Sequence, residues 1–183
     1  MSASVQPSMT TVAEFLELPG ERHELVDGVV TDMAPASPRH GAILARLARL
    51  LGNHLDGHPR CQVVIEPGVQ PRVRADINVR IPDLAVTCET IDDDAKLLAE
   101  PIVLIEVLSD SNRKDTWRNV WAYISIPSVK EILVLHPGEV RADLLRRQAD
   151  GSWPKNGSVS GSGEDVVLES IGFRAPLDAL YRR

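Results

Sequence analysis

The strongest periodic pattern along the chain lies in SPRHGAILARLARLLGNHL, at 37–55. Its apolar positions are Ile43, Leu44, Leu47, Leu50, Leu51 and Leu55. Their spacing of three and four residues places them on one face of a helix. Ser37 is a favourable N-cap, and Pro38 suits the first helical position. The pattern therefore predicts an amphipathic helix that begins directly after Ser37.

Short apolar segments downstream predict strands and a second helix. β-Branched residues over 61–66, and apolar residues over about 84–88, are typical of strands. PIVLIEVLS at 101–109 and KEILVLHP at 130–137 are continuous apolar runs, as in strands buried on both faces. Between them, the segment KDTWRNVWAYISI has an inward-facing helical stripe at Trp117, Val120, Trp121 and Ile124.

This order of elements predicts a mixed α/β (α+β) fold with helices packed on the sheet. We expect a single domain over 21–183, preceded by an N-terminal segment at 1–20. Beyond Pro137 the polarity alternates with period two up to a turn at Asp150-Gly151, and EDVVLES is expected to return antiparallel as a C-terminal β-hairpin extension. The Gly- and Ser-rich KNGSVSGSGED between them predicts a loose surface loop, and APLDALYRR a short terminal helix.

Composition narrows the class of protein. The two cysteines, Cys61 and Cys88, form no CxxC pair, which disfavours a secreted disulfide scaffold and a structural zinc site. The sequence start lacks the order of a signal peptide, and no apolar run reaches the length of a membrane span. We therefore expect a reducing, cytoplasmic location and no membrane partner.

The charge balance bears on nucleic-acid binding. The chain carries 26 acidic and 20 basic residues, a net charge of -6, which disfavours broad non-specific coating of DNA. Local basic clusters remain around Arg72 to Arg80, in SNRKDTWR, and near Arg146. Such clusters are more often solvated surfaces than binding grooves, but a groove needs only local charge, so this question stays open.

Two carboxylates stand at unusual places. Asp83 follows Pro82 at the start of an apolar strand, where a simple turn is the plainest interpretation. Glu106, however, interrupts IVLIEVL, where an unpaired charge would cost several kcal/mol. If the two strands are neighbours, the carboxylates converge at one end of the sheet. Paired carboxylates suit a hard divalent cation.

These motifs resemble the PD-(D/E)xK nuclease superfamily and, more closely, the Uma-two family of restriction endonuclease-like proteins. The matching stretches are HELVDG at 23–28, SPRHGAI at 37–43, IPD at 81–83, IEVLS at 105–109 and YISIPSVKEILVLHP at 123–137. The resemblance implies a restriction-endonuclease-like mixed sheet. It also implies Mg²⁺ or Mn²⁺ as cofactor and a nucleic acid, first of all DNA, as partner.

The resemblance implies roles for individual residues. Asp83 and Glu106 match the metal-binding acids, with the main-chain carbonyl of Val107 as a third ligand. Glu24 corresponds to an acidic position that holds a metal-bound water. His40 lies at the start of the helix, where it suits a phosphate or a carboxylate, although an exposed helix-end histidine is an equally good interpretation.

The sequence departs from the family at the lysine. Two residues after Glu106, where the superfamily has a lysine, stands Leu108. The Uma-two pattern moves the lysine to the next helix, four residues after an aspartate and four before a tyrosine, and that position here is Asn119. An amide donates hydrogen bonds but carries no positive charge.

Three accounts of the missing lysine remain open. Lys114 or Arg118 supplies the charge, Asn119 suffices for slow chemistry, or catalysis is lost. The expected function is metal-dependent phosphodiester hydrolysis. The alternative is an inactive nucleic-acid-binding or structural homodimer on the same fold, and a small-molecule phosphodiesterase with a closed pocket is a third. The exposed edge of an open sheet also favours a homodimer.

Overall fold

The computed structural model describes residues 9–20, 23–58, 60–109 and 113–182. The helices are α1 (Val12–Phe15), α2 (Pro38–Leu55), α3 (Arg113–Tyr123) and α4 (Asp178–Tyr181). The strands are β1 (His23–Val26), β2 (Val29–Asp32), β3 (Gln62–Ile65), β4 (Leu84–Thr87), β5 (Pro101–Val107), β6 (Glu131–Leu135), β7 (Arg141–Arg146), β8 (Ser158–Gly161), β9 (Asp165–Leu168) and β10 (Phe173–Pro176). The α/β fold predicted from the sequence is confirmed.

Six strands form the central sheet, in the order β3-β4-β5-β6-β7-β8. Strands β5 and β6 are parallel, and every other neighbouring pair of this sheet is antiparallel. Helix α3 connects the two parallel strands, as such a crossover requires. Strands β1–β2 and β9–β10 form two separate antiparallel pairs.

The two faces of the sheet bury different helices. Strand β5 sends Val103 and Ile105 into the core cluster that contains the apolar face of α2. It sends Leu104 to the opposite face, into the cluster that contains Val120 and Tyr123 of α3. Both faces of β5 are therefore covered, which explains why its sequence is a continuous apolar run.

The amphipathic helix predicted after Ser37 is present as α2. The Ser37 side chain accepts a hydrogen bond from the backbone N–H of His40, and Pro38 occupies the first turn. Its inward residues Ile43, Leu47 and Leu51 are almost completely buried. Strong local signals, an N-cap and a regular apolar stripe, agree here with the tertiary packing.

The predicted pairing near the C-terminus is wrong. Strand β7 pairs with β8, within the segment predicted to be a loose loop, while β9 pairs with β10. Gly157 lies so close to β7 that an added Cβ would be 2.9 Å from the Leu144 carbonyl oxygen. Glycine here serves close approach of two strands, not looseness.

The predicted inward face of α3 is also partly wrong. Trp121 is 46% exposed, and Trp117 is only partly buried. Val120 is buried as predicted, but the buried face also carries Asn119 and Tyr123. Asn119 and Tyr123, like the two tryptophans, follow one another at a helical spacing of four residues. The face with Asn119 and Tyr123 lies inward because these two side chains contact Glu24 and Glu106.

Cys61 and Cys88 form a disulfide across the antiparallel pair β3–β4. The count of two cysteines does not predict this bond, and a stable disulfide is at odds with the reducing compartment expected from the sequence. It ties the edge strand to its neighbour at the end of β4 that lies away from Asp83. Within the described ranges, no helix has both the length and the apolar character needed to cross a membrane.

We expect this disulfide to stabilise the fold. The two cysteines are 27 residues apart, and closing a loop of that size contributes about 3–4 kcal/mol by restricting the unfolded chain. Dithiothreitol should lower the unfolding free energy by about that amount in urea titrations. Cys61→Ser should begin at the lower value and not respond to reductant. Equal stability of the oxidised and reduced protein would contradict the prediction.

Candidate active site

Asp83 and Glu106 meet at the shared end of β4 and β5. The antiparallel register pairs Leu84 with Ile105, so one step further along the pair Asp83 lies opposite Glu106. The backbone N–H of Val107 donates to Asp83 Oδ2 over 2.6 Å. Both side chains are largely buried, with 9% and 7% of the residue surface exposed. The sequence prediction of two acids on neighbouring strands is confirmed as a matter of position.

His40 joins this pair from the start of α2. Its ring Nε2 lies 3.0 Å from Asp83 Oδ1, and the residue is 8% exposed. The interpretation of His40 as a solvent-exposed helix-end residue is therefore wrong. Asp83 is held at one oxygen by an imidazole and at the other by a main-chain amide, so its orientation is fixed from two elements.

Glu106 is the most strongly perturbed acid of the cluster. Burial raises its pKa well above the ordinary value of 4.5, and the negative charges of Asp83 and Glu24 raise it further. The hydroxyl of Tyr123, on α3, donates to Glu106 Oε1 over 2.7 Å and opposes the shift. The negative charges around this carboxylate thus favour a proton or a cation.

Glu24, on β1, completes the group of acids. Its Oε1 accepts from the backbone N–H of Ile81 at 2.9 Å and from Asn119 Nδ2 at 3.0 Å. Burial raises the pKa of Glu24, although these donors and the charges of Arg80 and Arg118 act in the opposite direction. Helix α3 therefore contacts two of the three acids, through Asn119 and Tyr123.

Arg80 is a member of this site that was not predicted from the sequence as a functional residue. It is 2% exposed, and its guanidinium donates through Nη1 to the main-chain oxygen of Leu25. Its Nε has no hydrogen-bond partner among the described residues. Burial lowers the pKa of Arg80, while the charge of Glu24 raises it. A buried arginine beside a glutamate is a signal that only the fold reveals.

The two positions where a family lysine is expected have different surroundings. Leu108 is 2% exposed and belongs to the apolar cluster under α3, so its place is part of the core. Asn119 is 7% exposed and contacts Glu24, within the site. Its Oδ1 is buried without a partner in the described part of the chain. One acceptor atom of Asn119 is therefore available to a bound group.

A second buried glutamate shows what full compensation looks like. Glu131, at the start of β6, is 0% exposed. It accepts from Arg146 Nε, from the backbone N–H groups of Glu169 and Ser170, and from the Ser170 hydroxyl. Glu106 instead has negative neighbours. The contrast marks Glu106 as a carboxylate whose surroundings are not built for structure alone.

The arrangement has the parts of a metal site without a complete set of side-chain ligands. Among the described residues, no group of three or more His, Cys, Asp or Glu is placed to hold a metal ion. Asp83 and Glu106 provide two carboxylates. Mg²⁺ commonly binds one or two protein carboxylates, and water and substrate oxygens complete its octahedral shell.

Comparison with known proteins identifies the family of the chain. A family model described as "Putative restriction endonuclease", Uma2, matches residues 12–177. The chain belongs to the Uma2 family. The resemblance drawn from the sequence motifs is thereby confirmed.

Among solved structures, the chain is similar to a "putative nuclease belonging to DUF820" from Anabaena variabilis ATCC 29413. The two share 16% identity with a TM-score of 0.77, over 93% of this chain and 97% of that chain. At this identity the likeness shows a shared fold. No curated protein matches the chain.

Without divalent cations, Glu106→Gln should change how the stability depends on pH. The folded pKa of Glu106 lies above its ordinary value of 4.5, so the stability it contributes is present below that value. It is lost as pH rises towards the folded pKa. Glutamine cannot ionise, and its carbonyl can still accept from Tyr123. We expect the unfolding free energy of the variant, relative to that of the wild type, to increase from pH 4.5 to pH 8.

Urea unfolding in EDTA measures this difference. Glu131→Gln is the matched control because the same change there weakens the pairing of a compensated carboxylate with Arg146. That control should lose stability at neutral pH. A Glu106→Gln variant with the same pH profile as the wild type would contradict the assignment of a raised pKa.

Proposed function

We propose that this Uma2 protein is a metal-dependent nuclease that hydrolyses phosphodiester bonds, with DNA as the first substrate to test. The observation that supports this most directly is the buried Asp83–Glu106 pair at the end of two neighbouring strands. Family membership supports the same reaction class. Structural proteins have no need for two adjoining buried carboxylates, one of which, Glu106, has a raised pKa.

The residues present fit a divalent cation. Asp83 and Glu106 would provide two ligands, and the Val107 carbonyl a third. The Val107 N–H points to Asp83, and the N–H and C=O of an extended residue face the same neighbouring strand. A Mg²⁺ or Mn²⁺ ion would supply Lewis-acid chemistry, lowering the pKa of a coordinated water and offsetting charge on the phosphate.

The other residues would orient and tune this pair. His40 holds one oxygen of Asp83, and Tyr123 holds one oxygen of Glu106. Glu24, with its raised pKa, is placed to accept a proton near the acids. Asn119 fixes Glu24 and offers its unpartnered Oδ1 as a further acceptor. Except for Tyr123, each of these residues is a site residue expected from the sequence.

Positive charge at the site comes from more than one arginine. Arg118 is close enough to influence the pKa of Glu24, which supports the account that a neighbouring cation replaces the missing lysine. Arg80 acts on the same carboxylate from the interior. Lys114 is exposed at the start of α3. Of these, Arg118 best combines exposure with an electrostatic effect on the site.

The second candidate is a non-catalytic nucleic-acid-binding homodimer. Asn119 favours it, because an amide at the lysine position provides no charge to the transition state. The two candidates differ in one requirement. A nuclease requires that the divalent cation binds and that it supports turnover, whereas a nucleic-acid-binding protein requires neither property. A dimeric mass by light scattering would agree with both candidates.

The first test is a titration of the protein with Mg²⁺ and Mn²⁺ by calorimetry. We expect one site in the wild type and loss of detectable binding in Asp83→Ala, because one of two carboxylate ligands is removed. His40→Ala should weaken binding without abolishing it, since only the orientation of Asp83 is lost. Equal binding by wild type and Asp83→Ala would reject the metal site.

The second test concerns the missing lysine. Asn119→Lys should increase metal-dependent cleavage of a generic DNA substrate by about 10-fold or more, because a cation there stabilises charge that develops at the phosphate. The new lysine would also lie near Glu24, which already accepts a hydrogen bond from the side chain at position 119. The measurement is the initial rate of strand cleavage under substrate saturation.

The control combines Asn119→Lys with Glu106→Ala, which should leave cleavage at background because added binding to phosphates cannot replace the second acid. If Asn119→Lys leaves the rate unchanged and Arg118→Ala abolishes it, Arg118 supplies the cation. If no variant cleaves DNA or RNA with either metal, the binding function replaces the nuclease.

A further inference from the structure

The outer face of α3 carries an unusual combination of aromatic and basic side chains. Lys114, Trp117, Arg118 and Trp121 follow one another at i, i+3, i+4 and i+7, which places them on one side of the helix. Trp121 is 46% exposed, and the Arg118 side chain 49%. We call these four residues the α3 outer stripe. It lies opposite the face that carries Asn119 and Tyr123.

A loop adds further cations to this surface. The Ser125 hydroxyl, just beyond α3, accepts from the backbone N–H groups of Arg72 and Val73 at 2.9 and 3.2 Å. This contact holds the exposed segment 72–74 against the end of the helix. Arg72 and Arg74 thereby extend the basic surface, and Val73, 47% exposed, adds apolar area to it.

Acidic residues offset part of this charge. Arg118 pairs with Asp115 at 3.1 Å, and Arg74 with Asp27 at 3.3 Å, both at exposed positions. Such surface pairs contribute little and leave the cations accessible to a stronger anion. Lys114, near the start of α3, and Arg72, at its other end, are also exposed. A protein with net charge -6 thus presents a local basic surface around an exposed indole.

We propose that the α3 outer stripe binds a single-stranded or unpaired segment of nucleic acid, with a base stacked on Trp121 and its phosphates on the flanking cations. The inference deepens the proposed function and rests on it for the class of ligand. Indole rings stack on unpaired bases, whereas the bases of a duplex are already stacked. The helix also connects the two sites, since Arg118 acts electrostatically on Glu24.

A second copy of this chain fits the surface less well. A two-fold symmetric contact joins a surface to itself, so a patch that carries mostly cations would meet a second patch of the same charge. A polyanion has the complementary charge instead. The charge of the α3 outer stripe therefore favours a nucleic acid over a second copy of the chain as its binding partner.

The experiment is a binding titration in EDTA of a fluorescent single-stranded oligonucleotide and of the corresponding blunt duplex. We expect tighter binding of the single strand, quenching of tryptophan fluorescence on binding, and about a 10-fold loss of affinity in Trp121→Ala. Trp121→Phe should keep most of the affinity because a ring remains. Val159→Ala, which truncates an exposed apolar residue on β8, should bind like the wild type.

Two outcomes overturn the inference. One is equal binding of both oligonucleotides without any effect of Trp121→Ala. The other is loss of a dimer in Trp121→Ala by light scattering while single-strand binding is unchanged. The test is independent of catalysis, because Asp83→Ala should retain single-strand binding in EDTA. Binding by that variant without cleavage by any form would reject the nuclease and leave the stripe established.

Discussion

The negative charge of Glu106 inside a buried strand is the constraint around which the site is built. Transfer of a carboxylate to such a place is costly unless it is protonated, paired or bound to a cation. The strand register brings a second acid, Asp83, directly opposite instead of a compensating base. The amphipathic helix α2 then places His40 against that acid, and α3 places Tyr123 against Glu106. Two helices on opposite faces of the sheet thus contact the acids at the same end of β4 and β5.

The negative charges of Asp83 and Glu106 are only partly offset by their neighbours, and the buried positive charge lies near a different acid. The donors to Glu106 and Asp83 in the described residues are a phenol, an imidazole and an amide, while the buried arginine stands beside Glu24. Glu131 shows that this fold can neutralise a buried glutamate completely when only structure is at stake. Residual negative charge at one strand end is what a divalent cation requires, and proteins accept a loss of stability at such positions in exchange for function.

Local signals account for the parts of the fold that could be predicted. The cap at Ser37 and the apolar run at 101–107 act within one element, and each leads to the element observed. The pairing of β8 depends on close approach of a glycine to a distant strand, which composition alone presents as a loop. The place of Arg80 likewise depends on β1, more than 50 residues earlier in the chain, so no spacing within the sequence reveals its contact with Leu25.

The absent lysine is best understood as a question of charge balance around Glu24. A lysine at position 119 would pair with Glu24 and add one positive charge inside the site. In this chain Asn119 donates to Glu24 without charge, and the buried Arg80 already opposes the negative charge of that carboxylate. The neutral amide is therefore tolerated for stability. Because Arg80 is 2% exposed, it cannot reach a phosphate as a surface lysine does. In the proposed nuclease, the charge that stabilises the fold and the charge that a transition state needs would thus be carried by different residues, with Arg118 the exposed one of the two arginines beside Glu24.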